Sequence, residues 1–109
     1  MATGARNRWG LVLVRGRSML PTFGGLRRIA VVRYGELPRI GDVAVVDRPD
    51  RTGFRVIKRV TDRDQRGWWV ESDNRDESIV YADSWQFGHV ADAQMLGVVR
   101  WPRVSRPRA

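Results

Sequence analysis

No stretch of this chain repeats apolar residues at the 3.6-residue spacing of a helix for more than a turn or two. Its apolar residues come instead in short, β-branched runs. Gly10–Arg15 (GLVLVR), Ile29–Arg33 (IAVVR) and Asp42–Asp47 (DVAVVD) are Val-rich and bounded by Gly, Pro or charged residues. Phe54–Thr61 (FRVIKRVT), Gly67–Glu71 (GWWVE) and Gly97–Trp101 (GVVRW) repeat the pattern. Val, Ile, Trp and Phe suit a pleated, half-buried surface. The breaks fall at Gly24-Gly25, Pro38 to Gly41, Arg48 to Gly53, and Asp73 to Ser84. Ala91–Leu96 (ADAQML) has room for one or two helical turns. With 109 residues there is length for one domain. The expectation is a mainly β, single-domain fold: a small antiparallel sheet or barrel with little helix, over residues 9–101. Residues 1–8 read as a loose start and 102–109 (PRVSRPRA) as a basic, Pro-containing tail.

Composition removes several chemistries. The chain has no cysteine, which excludes a disulfide scaffold, a thiolate zinc site and a Cys nucleophile. Its one histidine, His89, excludes a multi-His metal centre. A spanning helix needs about 20 mostly apolar residues, whereas the longest aliphatic runs, such as Leu11–Val14 and Val43–Val46, have four. Arg6 and Arg8 are followed by no hydrophobic segment long enough for a secretory signal. The sequence thus predicts a soluble, cytoplasmic protein, with association at a membrane surface left open.

The net charge is +8, yet among the twenty basic residues only Lys58 is a lysine. Arg stays protonated in proteins, while a desolvated Lys amine can lose its proton. In an extended strand Phe54, Val56, Lys58 and Val60 share one face, and Arg55, Ile57, Arg59 and Thr61 share the other. Lys58 is the one polar group in an apolar stripe, where burial lowers the pKa of an ammonium. The competing reading is a Lys whose stem packs while its amine reaches water. A desolvated amine at neutral pH is a general base in need of a nucleophile. Ser18 is the candidate, just beyond the first strand in Gly16-Arg17-Ser18-Met19-Leu20-Pro21-Thr22. Gly16 permits an unusual backbone before it, and Pro21 stiffens the chain after it. By itself such a cluster is also an ordinary turn.

Ser18-Met19-Leu20-Pro21-Thr22 resembles the Ser-Met-x-Pro-Thr box of the signal peptidase I family of serine proteases. Val56-Ile57-Lys58-Arg59-Val60 is similar to that family's Lys-Arg-Val strand. Ser72-Asp73-Asn74 followed by Asp83-Ser84-Trp85-Gln86-Phe87-Gly88 resembles its Gly-Asp-Asn … Asp-Ser-Arg-x-Phe-Gly box, and Gly41-Asp42-Val43 the opening of a middle strand. The blocks occur in family order across about residues 12–100. Within the family, Trp68-Trp69-Val70-Glu71-Ser72-Asp73-Asn74 and the missing anchor look most like the small nickel-type superoxide dismutase maturation proteases.

The resemblance implies a Ser-Lys endopeptidase that needs no metal or organic cofactor. Ser18 would be the nucleophile and Lys58 the general base. Ser78 would orient the lysine amine, Asp73 and Asn74 would form a structural pair, and Asp83 would shape the turn after it. Met19 would line a small substrate pocket. The partner it implies is a precursor protein, the nickel-type superoxide dismutase precursor, whose short N-terminal extension would be removed. Three positions depart from the family pattern. Gly16 stands where some members carry a hydroxyl that assists the oxyanion, Leu26-Arg27 replaces a Gly-Asp, and Trp85 stands where many members have an Arg that pairs with the Asp.

Three other readings compete. An ordinary signal peptidase domain acting on exported proteins would share this chemistry. A self-cleaving repressor is disfavoured, because about 17 residues before Ser18 leave no room for a DNA-binding domain. A basic nucleic-acid-binding module fits the charge and the aromatics, but the Arg residues are scattered, and that reading gives no reason for Ser18 and Lys58; no nucleic-acid partner is expected. His89 reads as an ordinary residue near a strand end.

Overall fold

The computed structural model describes residues 8–23, 28–76 and 82–103. Six strands form one antiparallel sheet: β1 (Trp9–Leu13), β2 (Ile29–Tyr34), β3 (Val43–Asp47), β4 (Arg55–Asp64), β5 (Gly67–Glu71) and β6 (Met95–Trp101). Each of the six β-branched runs becomes a strand. The order across the sheet is β1-β2-β6-β3-β4-β5, and the sheet is open rather than closed into a barrel. The Ala91–Leu96 segment supplies one 3₁₀ turn, Asp92–Gln94. One element was not expected: α1 (Ser84–Phe87), a single turn inside and just past the break read from Asp73 to Ser84. Among the described residues no helix is long and apolar enough to cross a membrane.

Alternation along β3 explains why the sheet carries two cores. All five of its residues except Asp47 are buried, as the central position of the strand requires. Val43 and Val45 pack with Met19, Phe23, Val32 and Ile57 on one side. Ala44 and Val46 pack with Val60, Trp68, Val70 and Val90 on the other. Register shifts near Val31, Val45 and Val60 bend the strands. β1 and β4 are not neighbours in the sheet, yet Leu11–Leu13 and Arg55–Lys58 line one common cleft. The sheet therefore curls far enough to bring these two strands face to face.

β4 is divided between two partners. Residues 55–59 pair with β3, and residues 59–64 pair with β5. Among the described residues, no strand pairs with residues 55–58 on the side away from β3. The segment after β5 is tied back by Trp68, whose backbone N–H and C=O pair with Val90 at 2.8 Å each. The buried Ser84 hydroxyl accepts from the Val70 amide at 2.8 Å.

Gly67 permits the turn into β5. Its φ is +128°, and a Cβ there would lie 2.5 Å from the Val90 carbonyl oxygen, the acceptor of that bridge. Gly67→Ala is expected to cost about 2 kcal/mol through backbone strain and this collision. Thermal unfolding followed by circular dichroism should then show a midpoint lowered by roughly 10 °C. An unchanged midpoint would remove the strain argument at this turn.

Candidate active site

The turn after β1 and the middle of β4 meet where the two residues singled out from sequence lie. Lys58 Nζ donates to Ser18 Oγ at 2.8 Å. Lys58 is only 3 % exposed. Its pKa is lowered from 10.5 to about 8, chiefly because burial disfavours the ammonium; Asp83 and then Asp73 oppose the shift, and Arg48 adds to it. At pH 7 about a tenth of such an amine is free base. When neutral, it can accept the proton of the hydroxyl it now donates to.

The source of the burial differs in part from the expected stripe. Lys58 stands opposite Ala44, and its same-face neighbour Val56 stands opposite Val46. Ala44, Val46 and Val60 are buried and Val56 is half-buried. Phe54 is not part of the wall: it lies before β4, is 52 % exposed and stacks under the Arg51 guanidinium at 4.0 Å. The desolvation comes from the strand's own partners rather than from the residue that opens the run.

Alternation set Arg59 on the face opposite Lys58, and the structure shows what covers it there. It is 2 % exposed. Its Nε and Nη2 donate to the two Asp73 oxygens at 3.1 and 2.7 Å, and Nη1 donates to the Gly41 carbonyl at 2.8 Å. Asp73 also accepts from the Thr22 hydroxyl. Asn74 completes the clamp: its amide N–H donates to the Ser18 carbonyl at 2.9 Å and its side-chain Nδ2 to the Arg17 carbonyl at 2.8 Å. Asp73 and Asn74 thus hold the turn that carries Ser18. Thr22 was quoted in a motif but given no role; its hydrogen bond to Asp73, 51 residues away, leaves no mark in a local pattern.

Asp83 finds its partners in the backbone. Its Oδ1 accepts from the Trp85 N–H and its Oδ2 from the Ser72 N–H, both at 3.1 Å. This caps α1 and ties it to the end of β5. Met19 is buried beside the dyad and lines the cleft between β1 and β4. Ser78 lies outside the described residues. Gly16 adopts φ +84°, the conformation expected of a glycine before this turn. His89 Nε2 lies 3.6 Å from Asp64 Oδ1. Its ring packs on Trp69, on β5. Among the described residues no three His, Asp or Glu side chains gather into a set that could hold a metal ion.

Two clefts flank the Ser18 turn. One, of about 480 Å³, runs between β1 and the free edge of β4 and contains Ser18, Met19 and Lys58. The other, of about 400 Å³, is bounded by Thr22, Asn74, Arg75 and Trp85. No protein-family model, no curated protein and no solved structure matches the chain.

Because Lys58 is the sole lysine, its side-chain resonances are unambiguous. A titration followed by carbon NMR should show a midpoint near 8. Val56→Asp should raise that midpoint by about one unit, because a carboxylate on the same face favours the ammonium. A midpoint at 10 or above in the wild type would show a solvated amine. Asp73→Ala should lower stability by about 3 kcal/mol in denaturant unfolding, since it strands the buried Arg59 charge.

Proposed function

We propose that this chain is a serine endopeptidase working through a Ser18–Lys58 dyad. The observation that supports it is the 2.8 Å contact between the serine hydroxyl and a buried amine whose pKa lies near 8. In the proposed reaction the neutral Lys58 takes the Ser18 proton as Oγ attacks the scissile carbonyl carbon. The carbonyl electron pair moves to oxygen, and the Ser18 backbone N–H stabilises the resulting oxyanion. Collapse breaks the C–N bond, and Lys58 passes its proton to the departing amine, leaving an ester on Ser18. Lys58 then takes a proton from water, whose oxygen attacks the ester; the acid product leaves and the Ser18 hydroxyl re-forms.

The substrate would enter the cleft between β1 and β4 as an extended strand. Residues 55–58 offer backbone groups that no strand among the described residues takes, and added strands are a common way to bind peptides. Met19 and the apolar floor set by Val45 and Ile57 favour a small apolar side chain next to the cleaved bond. The reading extends to the precursor of a nickel-type superoxide dismutase as substrate and to the cytoplasm as the place of action, both on the strength of the motif resemblance. A nucleic-acid-binding module offers no use for a buried amine on a serine.

Ser18→Ala and Lys58→Arg should each lower kcat/KM on a peptide spanning the precursor junction by about a thousandfold or more. His89→Ala should stay within about twofold of wild type, as the ring touches neither member of the dyad. For the wild type, kcat/KM should rise with pH through about 8, because only the free amine accepts the proton. Near-normal cleavage by Lys58→Arg would end the general-base assignment.

A further inference from the structure

The endopeptidase reading accounts for the cleft between β1 and β4 and leaves the second cleft without a use. That second cleft abuts the opposite side of the nucleophile turn. Its walls include Thr22 from the turn itself and Asn74, whose two N–H groups hold the Arg17 and Ser18 carbonyls. A peptide lying along β4 with its scissile carbonyl at Ser18 has to continue past this turn. The residues after the cleaved bond therefore leave the first cleft on the side where the second begins.

Trp85 makes this second cleft more than a dent in the surface. It is 76 % exposed, yet it is not free to turn. Its indole Nε1 donates to Glu71 Oε2 at 2.6 Å, and its ring meets Trp69 edge-on with centroids 5.2 Å apart. The backbone N–H of the same residue is held by Asp83. Glu71 in turn accepts from Trp69 Nε1 at 3.4 Å. A large apolar ring held in the open by two partners, on a backbone fixed by a third, is a pre-ordered contact surface, the kind of group that dominates recognition sites because little freedom is lost on binding. Ser72 adds a polar group: its Oγ is buried beside the same cleft and has no hydrogen-bond partner among the described residues.

We propose that the cleft bounded by Thr22, Ser72, Asn74, Arg75 and Trp85 binds the segment of substrate that follows the cleaved bond, with an apolar side chain of that segment lying on the Trp85 ring. Trp85 is a specificity-determining residue on the leaving side, acting on binding and not on the dyad. This rests on the endopeptidase reading. The Glu71 hydrogen bond keeps the indole upright, so Trp85→Phe retains the contact face but loses its anchor.

Two substrates test it. One is a junction peptide with six residues beyond the scissile bond, including a leucine among the first four. The other has the same residues before the bond and a fluorogenic amide after it. Trp85→Ala should lower kcat/KM for the long peptide by about tenfold, mainly through KM, and for the amide by less than twofold; Trp85→Phe should fall between. Replacing the leucine by glycine should cost wild type about tenfold in kcat/KM and Trp85→Ala less than twofold. Equal losses on both substrates, or none on either, would overturn the proposal. Binding to Ser18→Ala, followed by tryptophan fluorescence, separates it from the reading it rests on. Trp85-dependent binding of the long peptide without any cleavage by wild type would sink the endopeptidase chemistry and keep the cleft. Absence of both cleavage and binding would sink the two together.

Discussion

The Arg59–Asp73 pair is the contact on which the candidate site depends. A guanidinium at 2 % exposure must have its donors met inside the protein. It meets them by joining four parts of the chain: β4, the Gly41 turn, the segment after β5, and, through the Thr22 hydroxyl on Asp73, the turn that holds Ser18. In stability alone, apolar residues of similar volume could serve as well. What the ion pair adds is register. A bidentate fork accepts one relative position of strand and carboxylate, and Asn74, next in sequence to Asp73, passes that position to the Ser18 and Arg17 carbonyls. Strand alternation then places Lys58, next to Arg59, on the opposite face. The bracing and the chemistry thus fall on two adjacent residues of one strand.

Lys58 works against the fold that holds it. Its folded pKa of about 8 lies below the unfolded value of 10.5. Between those values the unfolded chain binds more protons, so stability rises with pH across that window and the full penalty applies below it. The shift corresponds to a cost of about 3 kcal/mol at neutral pH. That is a sizeable share of the roughly 5–15 kcal/mol that stabilises a domain. A methionine here would pack between Ala44 and Val56 without that cost. A chain that writes its other nineteen basic residues as Arg, and keeps its one amine where it destabilises, is explained more simply by the chemistry of that amine than by packing.

The strands were legible because each is a β-branched run closed by turn residues, and local pattern decides such elements. The Ser18–Lys58 pair was legible for a different reason: an amine in an apolar row and a serine behind a glycine each carry a local mark, though nothing local says that they touch. The burial of Arg59 was not legible because alternation reports which face a residue occupies and not what covers that face. Its cover is Asp73 and Thr22, 14 and 37 residues away. α1 escaped notice since a single helical turn is too short for periodicity. Its signal was Asp83, a capping carboxylate before Ser84 and Trp85, visible only with attention to caps. Phe54 was assigned to the strand by its β propensity, but the turn ahead of it and the Arg51 guanidinium keep it outside.

An open sheet is itself a condition for the proposed chemistry. In a fully closed barrel every strand edge is paired, and the groups of residues 55–58 that face the cleft would already be taken. Here β4 gives its first half to β3 and its second half to β5. The edge that results, unpaired among the described residues, ends within one residue of Lys58, while the curl of the sheet brings β1 across to form the other wall. An extended peptide placed in that gap supplies the missing neighbour for both strands, and its backbone register is fixed by the same hydrogen bonds that fix any strand. Where the gap ends, at the Ser18 turn, the chain has no further edge to pair with. Side-chain contacts have to take over the positioning there, and the anchored Trp85 stands on that side of the turn.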